Sequence, residues 1–159
     1  MIGNDIVDLK LAHKESNWQR KGFLDKIFTP QEQYQIRSSI IPDLTVWSFW
    51  SRKEAAYKIY NRQNGFRKFN PIQFECFNLE FEKVIFEDFE CHTRTQVNSR
   101  FIYSEAVLNF RDFENIKAIL KPSKIYKKNG IPNYLDKDLF LKPLSITHHG
   151  MFERVITII

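Results

Sequence analysis

The segment Leu44–Tyr60 constrains the fold most. Val46, Phe49, Trp50, Ala56, Tyr57 and Tyr60 recur near i, i+3, i+4 spacing, which predicts a long helix with an apolar stripe. Trp47, Ser51, Glu54 and Lys58 fall on an adjacent face of the same helix, and Gly65 ends it. Ahead of it, Thr29-Pro30-Gln31-Glu32 is a helix start: Thr29 caps, Pro30 suits the first turn and Glu32 completes a capping box. That helix is predicted to run to about Ser39 and to stop before Pro42. Leu11–Ile27 is predicted helical, with Gly22 weakening its end.

Strand patterns flank these helices. Met1–Leu9 alternates like a strand and ends in acidic residues. From Phe74 onward Leu79 and Phe81 alternate with charges, and Ile102, Ser104, Ala106, Leu108 and Phe110 share one face. Ile116–Leu120 is a further short strand, Asn129-Gly130-Ile131-Pro132 a turn, and Leu144–Thr147 with Val155–Ile159 a hairpin around His148-His149-Gly150. Helices early and strands late predict an α+β fold, a mostly antiparallel sheet packed against helices, in one domain over 1–159.

The net charge is +5, so the surface favours acidic partners: nucleic acid, anionic lipid, a polyphosphate or an acidic protein. No RNP, KH or helix-turn-helix signature accompanies it, so no nucleic-acid partner is expected. The start of the chain lacks a signal-peptide pattern, and no apolar run is long enough to span a membrane, so a cytoplasmic location is expected. Cys76 and Cys91 show no metal-site spacing and read as free thiols.

Three elements could carry chemistry. Asp5 and Asp8 lie near a strand end, where carboxylates can bind a hard cation; the alternative is a solvated or helix-capping aspartate. Glu54 and Lys58 lie one helical turn apart; the alternatives are a surface ion pair, or an acid and a cation facing one polyphosphate. Ser145-Ile146-Thr147-His148 leads a strand into a turn, bringing a hydroxyl and an imidazole to its end; the alternative is a surface-loop histidine.

Together and in this order, the elements resemble the 4'-phosphopantetheinyl transferases, in particular the short holo-acyl-carrier-protein synthase type. Gly3-Asn4-Asp5 resembles the family's G-x-D strand, and Trp50-Ser51-Arg52-Lys53-Glu54-Ala55-Ala56-Tyr57-Lys58 fills every position of its W/F-(S/A)-x-K-E-A-x-x-K helix. Ile27–Glu32, Gly130-Ile131-Pro132 and Ser145–His148 are similar to further family segments, whereas Cys76–Leu120 shows no resemblance.

The resemblance implies transfer of 4'-phosphopantetheine from coenzyme A to a serine of an apo acyl or peptidyl carrier protein, with Mg2+ and release of 3',5'-ADP. Asp5 and Glu54 would bind the metal, with Glu54 and Lys58 catalytic. Lys53, Lys58, Thr147 and His148 would face coenzyme A. Val7 stands where the longer enzymes place a third acid; Asp8 would hold a metal-bound water or orient its neighbours. Phe49 and Arg52 depart from the short enzymes, which puts the coenzyme A phosphate contacts in doubt and leaves a non-catalytic coenzyme A or carrier binder as the alternative. Extra strand or hairpin material is expected near 76–120, and a homo-oligomer, a trimer by preference.

Overall fold

The structure is a computed structural model that describes residues 1–65, 67–78, 82–128 and 130–159. Strand β1 (Ile2–Asp8) leads into helices α1 (Leu9–Glu15), α2 (Phe23–Ile27), α3 (Pro30–Ser38) and α4 (Pro42–Asn64). Strands β2 (Glu75–Asn78), β3 (Glu82–Phe86), β4 (Phe89–Val97) and β5 (Phe101–Val107) follow, then β6 (Ile116–Ala118), β7 (Tyr126–Lys128), β8 (Ile131–Leu135), β9 (Leu141–His149) and β10 (Phe152–Ile158). They form two five-stranded sheets, ordered β1-β5-β4-β3-β2 and β6-β10-β9-β8-β7, with antiparallel pairing throughout. The α+β expectation holds.

Helix α4 lies across the first sheet. Val46, Phe49, Ala56 and Ile59 are buried there against Phe74, Cys76, Val84, Cys91, Ile102 and Ala106. Tyr60 and Phe74 pack in edge-on or tilted geometry with Phe86 and Phe89, at ring separations of 5.0 to 6.3 Å; such pairs add specificity beyond the area they bury. Gly3 sets how close β1 comes to α4. A Cβ there would lie 2.0 Å from the backbone oxygen of Ala55, so only glycine lets strand and helix backbones touch. Cys76 and Cys91 are free and buried in this core; burial pushes the Cys76 thiol up to about 12.

The two sheets meet along the outer edge of β1. Its N–H groups at Asn4, Ile6 and Asp8 donate to Ser145 Oγ (3.0 Å), Thr147 Oγ1 (3.1 Å) and His149 Nδ1 (2.8 Å) of β9. Three alternate side chains on one face of β9 thus replace a backbone ladder, and the edge of β1 is covered. β1 and β5 are buried along nearly their whole length.

Four expectations need correction. Leu11–Ile27 is not one helix: α1 ends at Glu15, Asn17 Oδ1 takes the Gln19 N–H in a local turn, and Gly22 adopts φ +79° ahead of α2. Turn chemistry at these residues outcompetes helix continuation. Helix α4 starts at Pro42, which serves as an entry residue. The strand carrying Ile102 ends at Val107, and Phe110 opens a 3-10 turn over Phe110–Asn115 that Asn109 caps through the Arg111 N–H. Ile131 and Pro132 belong to β8, preceded by Gly130 at φ +80°. Leu79, Phe81 and Asn129 lie outside the described residues. Strands β2 to β5 lie within Glu75–Val107 as antiparallel neighbours. Among the described residues no helix is long and apolar enough to cross a membrane.

Candidate active site

β1 and α4 bring Asp5, Glu54 and Lys58 to the wall of one cleft of about 650 Å³, with Thr147 and His148 from the end of β9. Trp47, Trp50 and Phe23 form its apolar side. The Ser51 hydroxyl donates to the Asp5 carbonyl at 3.2 Å, fixing α4 against the strand at this point. Lys58 Nζ donates to the carbonyls of Asn4 (2.6 Å) and Ile146 (3.1 Å), so it bridges β1 and β9. The Asp5 carboxylate accepts from the Thr147 hydroxyl at 3.1 Å.

Electrostatics follows from burial. Asp5 is raised above the usual carboxylate range, chiefly because it is withdrawn from water, with Lys58 and Thr147 opposing. Glu54 is pushed up to about 7 by burial and by the neighbouring Asp5 charge, with Lys58 partly offsetting both. Burial lowers Lys58, against the pull of the two carboxylates. Two acids and one amine thus share a site where each charged form lacks solvation.

This donor set fits magnesium. Mg2+ binds through one or two carboxylates and completes its shell with water and phosphate oxygens. Asp5 and Glu54 would supply the carboxylates for such an ion, and among the described residues no group of three or more His, Cys, Asp or Glu is placed to enclose a metal.

A second cavity of about 360 Å³ adjoins the first through Lys58. Arg62, Arg67, Pro132 and Ser145 contribute to its lining. The Arg62 guanidinium donates to the Leu144 carbonyl, and burial lowers its pKa to about 10. Arg62 was not among the residues singled out from sequence. It stands one helical turn beyond Lys58, so i, i+4 spacing was the available signal.

Other expected site residues take different places. Lys53 does not face the cleft: its side chain is fully buried, and Nζ donates to Glu32 Oε2 (2.7 Å), the Ile27 carbonyl (2.9 Å) and the Pro71 carbonyl (3.0 Å). All three ammonium donors are used, so the reading of Lys53 as a coenzyme A contact is corrected to an internal ion pair. Thr147 lines the cleft with its hydroxyl committed to β1. His148 is exposed beside it. Asp8 follows the helix-capping alternative: Oδ1 accepts from the Leu11 N–H (3.2 Å) and Oδ2 from the Met151 N–H (3.2 Å). It orients its neighbours, and Gly150, at φ +57°, leaves room for it where a Cβ would lie 2.2 Å from Oδ2. Arg52 is buried too, donating to Thr93 Oγ1 (2.9 Å) and to the carbonyls of Phe77 (2.8 Å) and Lys83 (2.9 Å), so it ties α4 to the sheet.

The model of the 4'-phosphopantetheinyl transferase superfamily matches residues 1–113, and the chain belongs to that superfamily. The match crosses 76–113, read above as free of resemblance, and stops short of the Gly130 and His148 segments. Among solved structures, the chain is similar to the Helicobacter pylori holo-[acyl-carrier-protein] synthase in complex with coenzyme A, with a TM-score of 0.55, 18% identity, and coverage of 69% of this chain and 100% of that one. The Bacillus anthracis holo-(acyl-carrier-protein) synthase in complex with CoA (3',5'-ADP) gives 0.52, 21%, 67% and 93%. The Thermotoga maritima holo-[acyl-carrier-protein] synthase gives 0.54, 12%, 77% and 77%. These likenesses establish the fold. A comparison with curated proteins gives no match.

Proposed function

We propose that the chain is one 4'-phosphopantetheinyl transferase-like domain, 1–159, that moves the 4'-phosphopantetheine group of coenzyme A onto a serine hydroxyl of an apo acyl carrier protein. A new bond forms between the serine oxygen and the phosphorus bearing the pantetheine. The phosphoanhydride bond breaks, and its electron pair leaves with 3',5'-ADP. The observation that carries this reading is the convergence of Asp5 and Glu54, from distant parts of the chain, on one cleft beside Lys58.

Asp5 and Glu54 would hold Mg2+ here, which when bound supplies positive charge against the pyrophosphate. The serine proton would pass to Glu54 or to a water on the metal. Lys58 stands between the two cavities, where its ammonium offsets charge developing on the 5'-phosphate of the departing 3',5'-ADP. His148 at the cleft mouth contacts a coenzyme A phosphate.

The charge distribution supports polyanionic substrates. Residues 117–142 hold seven of the 24 Lys and Arg but only two of the 19 Asp and Glu, leaving seventeen of each elsewhere. The whole surplus of +5 therefore sits on this segment, which includes β8 beside the second cavity. Coenzyme A and acidic carriers are drawn to such a field. Short members of the superfamily assemble as homo-oligomers, and a cytoplasmic trimer acting in fatty-acid synthesis is the assembly proposed here.

The test is mass spectrometry of several apo carriers incubated with the protein, Mg2+ and coenzyme A. Wild type should add the phosphopantetheine mass, and Asp5→Ala or Glu54→Ala should lower the rate by at least ~100-fold, as loss of transition-state charge stabilisation does. No mass gain on any carrier, with coenzyme A still bound, would instead identify a non-catalytic binder.

A further inference from the structure

The seam between β1 and β9 contains three rungs that are alike at the backbone and differ beyond it. Ser145 and His149 each meet one β1 N–H. Thr147 meets the Ile6 N–H and also the Asp5 carboxylate. The chemistry of a hydroxyl then settles its direction. Its oxygen accepts the Ile6 N–H at 3.1 Å, so its single hydrogen is free to point at Asp5 Oδ1, 3.1 Å away. Thr147 is only 5% exposed, so water does not compete for that hydrogen. The Ser51 hydroxyl holds the Asp5 carbonyl from the other side.

We infer that Thr147 is the positioning residue that presents Asp5 to the divalent cation. The Oδ1 edge of the carboxylate is tied to β9, which limits rotation of the group and leaves the Oδ2 lone pairs for the cation. Thr147 thereby does for a carboxylate ligand what outer-shell partners do in established metal sites: it fixes orientation before the metal arrives. It does not donate to a coenzyme A phosphate, because its one hydrogen is already placed. The inference rests on the reading of Asp5 and Glu54 as the cation's ligands.

Mn2+ serves as the probe, its binding followed by electron paramagnetic resonance with coenzyme A at saturation. Thr147→Val keeps the shape and removes the donor; it should weaken Mn2+ binding roughly 10- to 100-fold. Thr147→Ser restores the hydroxyl and should return affinity to within roughly threefold of wild type, since the same charge-assisted bond re-forms. Ser145→Ala breaks a rung without touching Asp5 and should bind Mn2+ like wild type. In transfer assays, the Thr147→Val rate should recover as Mg2+ is raised, which loss of packing alone would not produce.

Asp5→Ala separates the two levels of the reading. If it loses Mn2+ while Thr147→Val binds as tightly as wild type, the positioning role is wrong and the ligand assignment stands. If Asp5→Ala also binds like wild type, the cation lies elsewhere and both fall. Circular dichroism checks the fold of each variant, and Thr147→Ala takes the place of Thr147→Val if the latter melts.

Discussion

Replacing Lys53 by methionine separates two roles for the lysine of the K-E-A motif. The structure buries it completely against Glu32, also fully buried. Glu32 Oε2 is shared between Lys53 Nζ and the Thr29 N–H (2.9 Å), and Oε1 takes the Cys76 N–H (2.8 Å). Lys53→Met would leave this carboxylate with its two backbone donors and no counter-charge. It would also strip the Ile27 and Pro71 carbonyls of their lysine donor. Breaking one side of a buried pair costs about 3–5 kcal/mol. For a chain of this size each kcal/mol moves the melting temperature by roughly 2–4 °C, so a drop of roughly 6–20 °C is expected. Urea and thermal melts of Lys53→Met, Glu32→Gln and the double variant give the coupling. The double should cost less than the sum of the singles by roughly 0.5–3 kcal/mol, because the second substitution removes a partner already orphaned. The coenzyme A KM of whatever folded protein remains should stay within about twofold, as uniform binding is not touched. A Lys53→Met protein that melts with wild type and shows a tenfold higher coenzyme A KM would refute this, and would return Lys53 to the cleft.

Two further outcomes follow from the geometry. Gly3→Ala forces a methyl into the Ala55 carbonyl and should cost at least ~1–3 kcal/mol as overpacking, with transfer lost in step because β1 and α4 separate at Asp5 and Glu54; unchanged urea midpoints would disprove the contact. In chelator-treated protein, Glu54 holds its proton up to about pH 7, against 4.5 as its ordinary value. The folded state therefore binds that proton more tightly than the unfolded chain. The stabilisation is complete below about 4.5 and is lost as pH rises through about 7, on the order of 3 kcal/mol in all. Urea melts across that window should show the decline in wild type and a flatter profile in Glu54→Gln, and equal slopes in the two would contradict it.

Local chemistry explains what the sequence revealed. The box formed by Thr29 and Glu32 appears as expected, with both of its bonds present, because its partners are three residues apart. The stripe of α4 and the hairpin of β9 and β10 are likewise set by short-range pattern. Lys53 was misplaced for a geometric reason: consecutive residues on a helix diverge by about 100°, so Lys53 and Glu54 cannot both look into one cleft. The motif records their adjacency in the chain and not their directions. The same holds for Arg52, whose sheet partners lie beyond residue 76. The bonds of Ser145, Thr147 and His149 to β1 link residues 141 apart, and no periodicity reports such a pairing.

That separation has a consequence during synthesis. β1 leaves the ribosome long before the side chains that will cover its outer edge, 141 residues later. At ordinary translation speeds the delay is on the order of ten seconds. Over that interval the nascent strand carries unpaired amide hydrogens along one margin, open to any other extended chain. The last rungs to arrive include Thr147, the one that also reaches the Asp5 carboxylate, so quality of assembly and capacity for chemistry are decided in a single closing step.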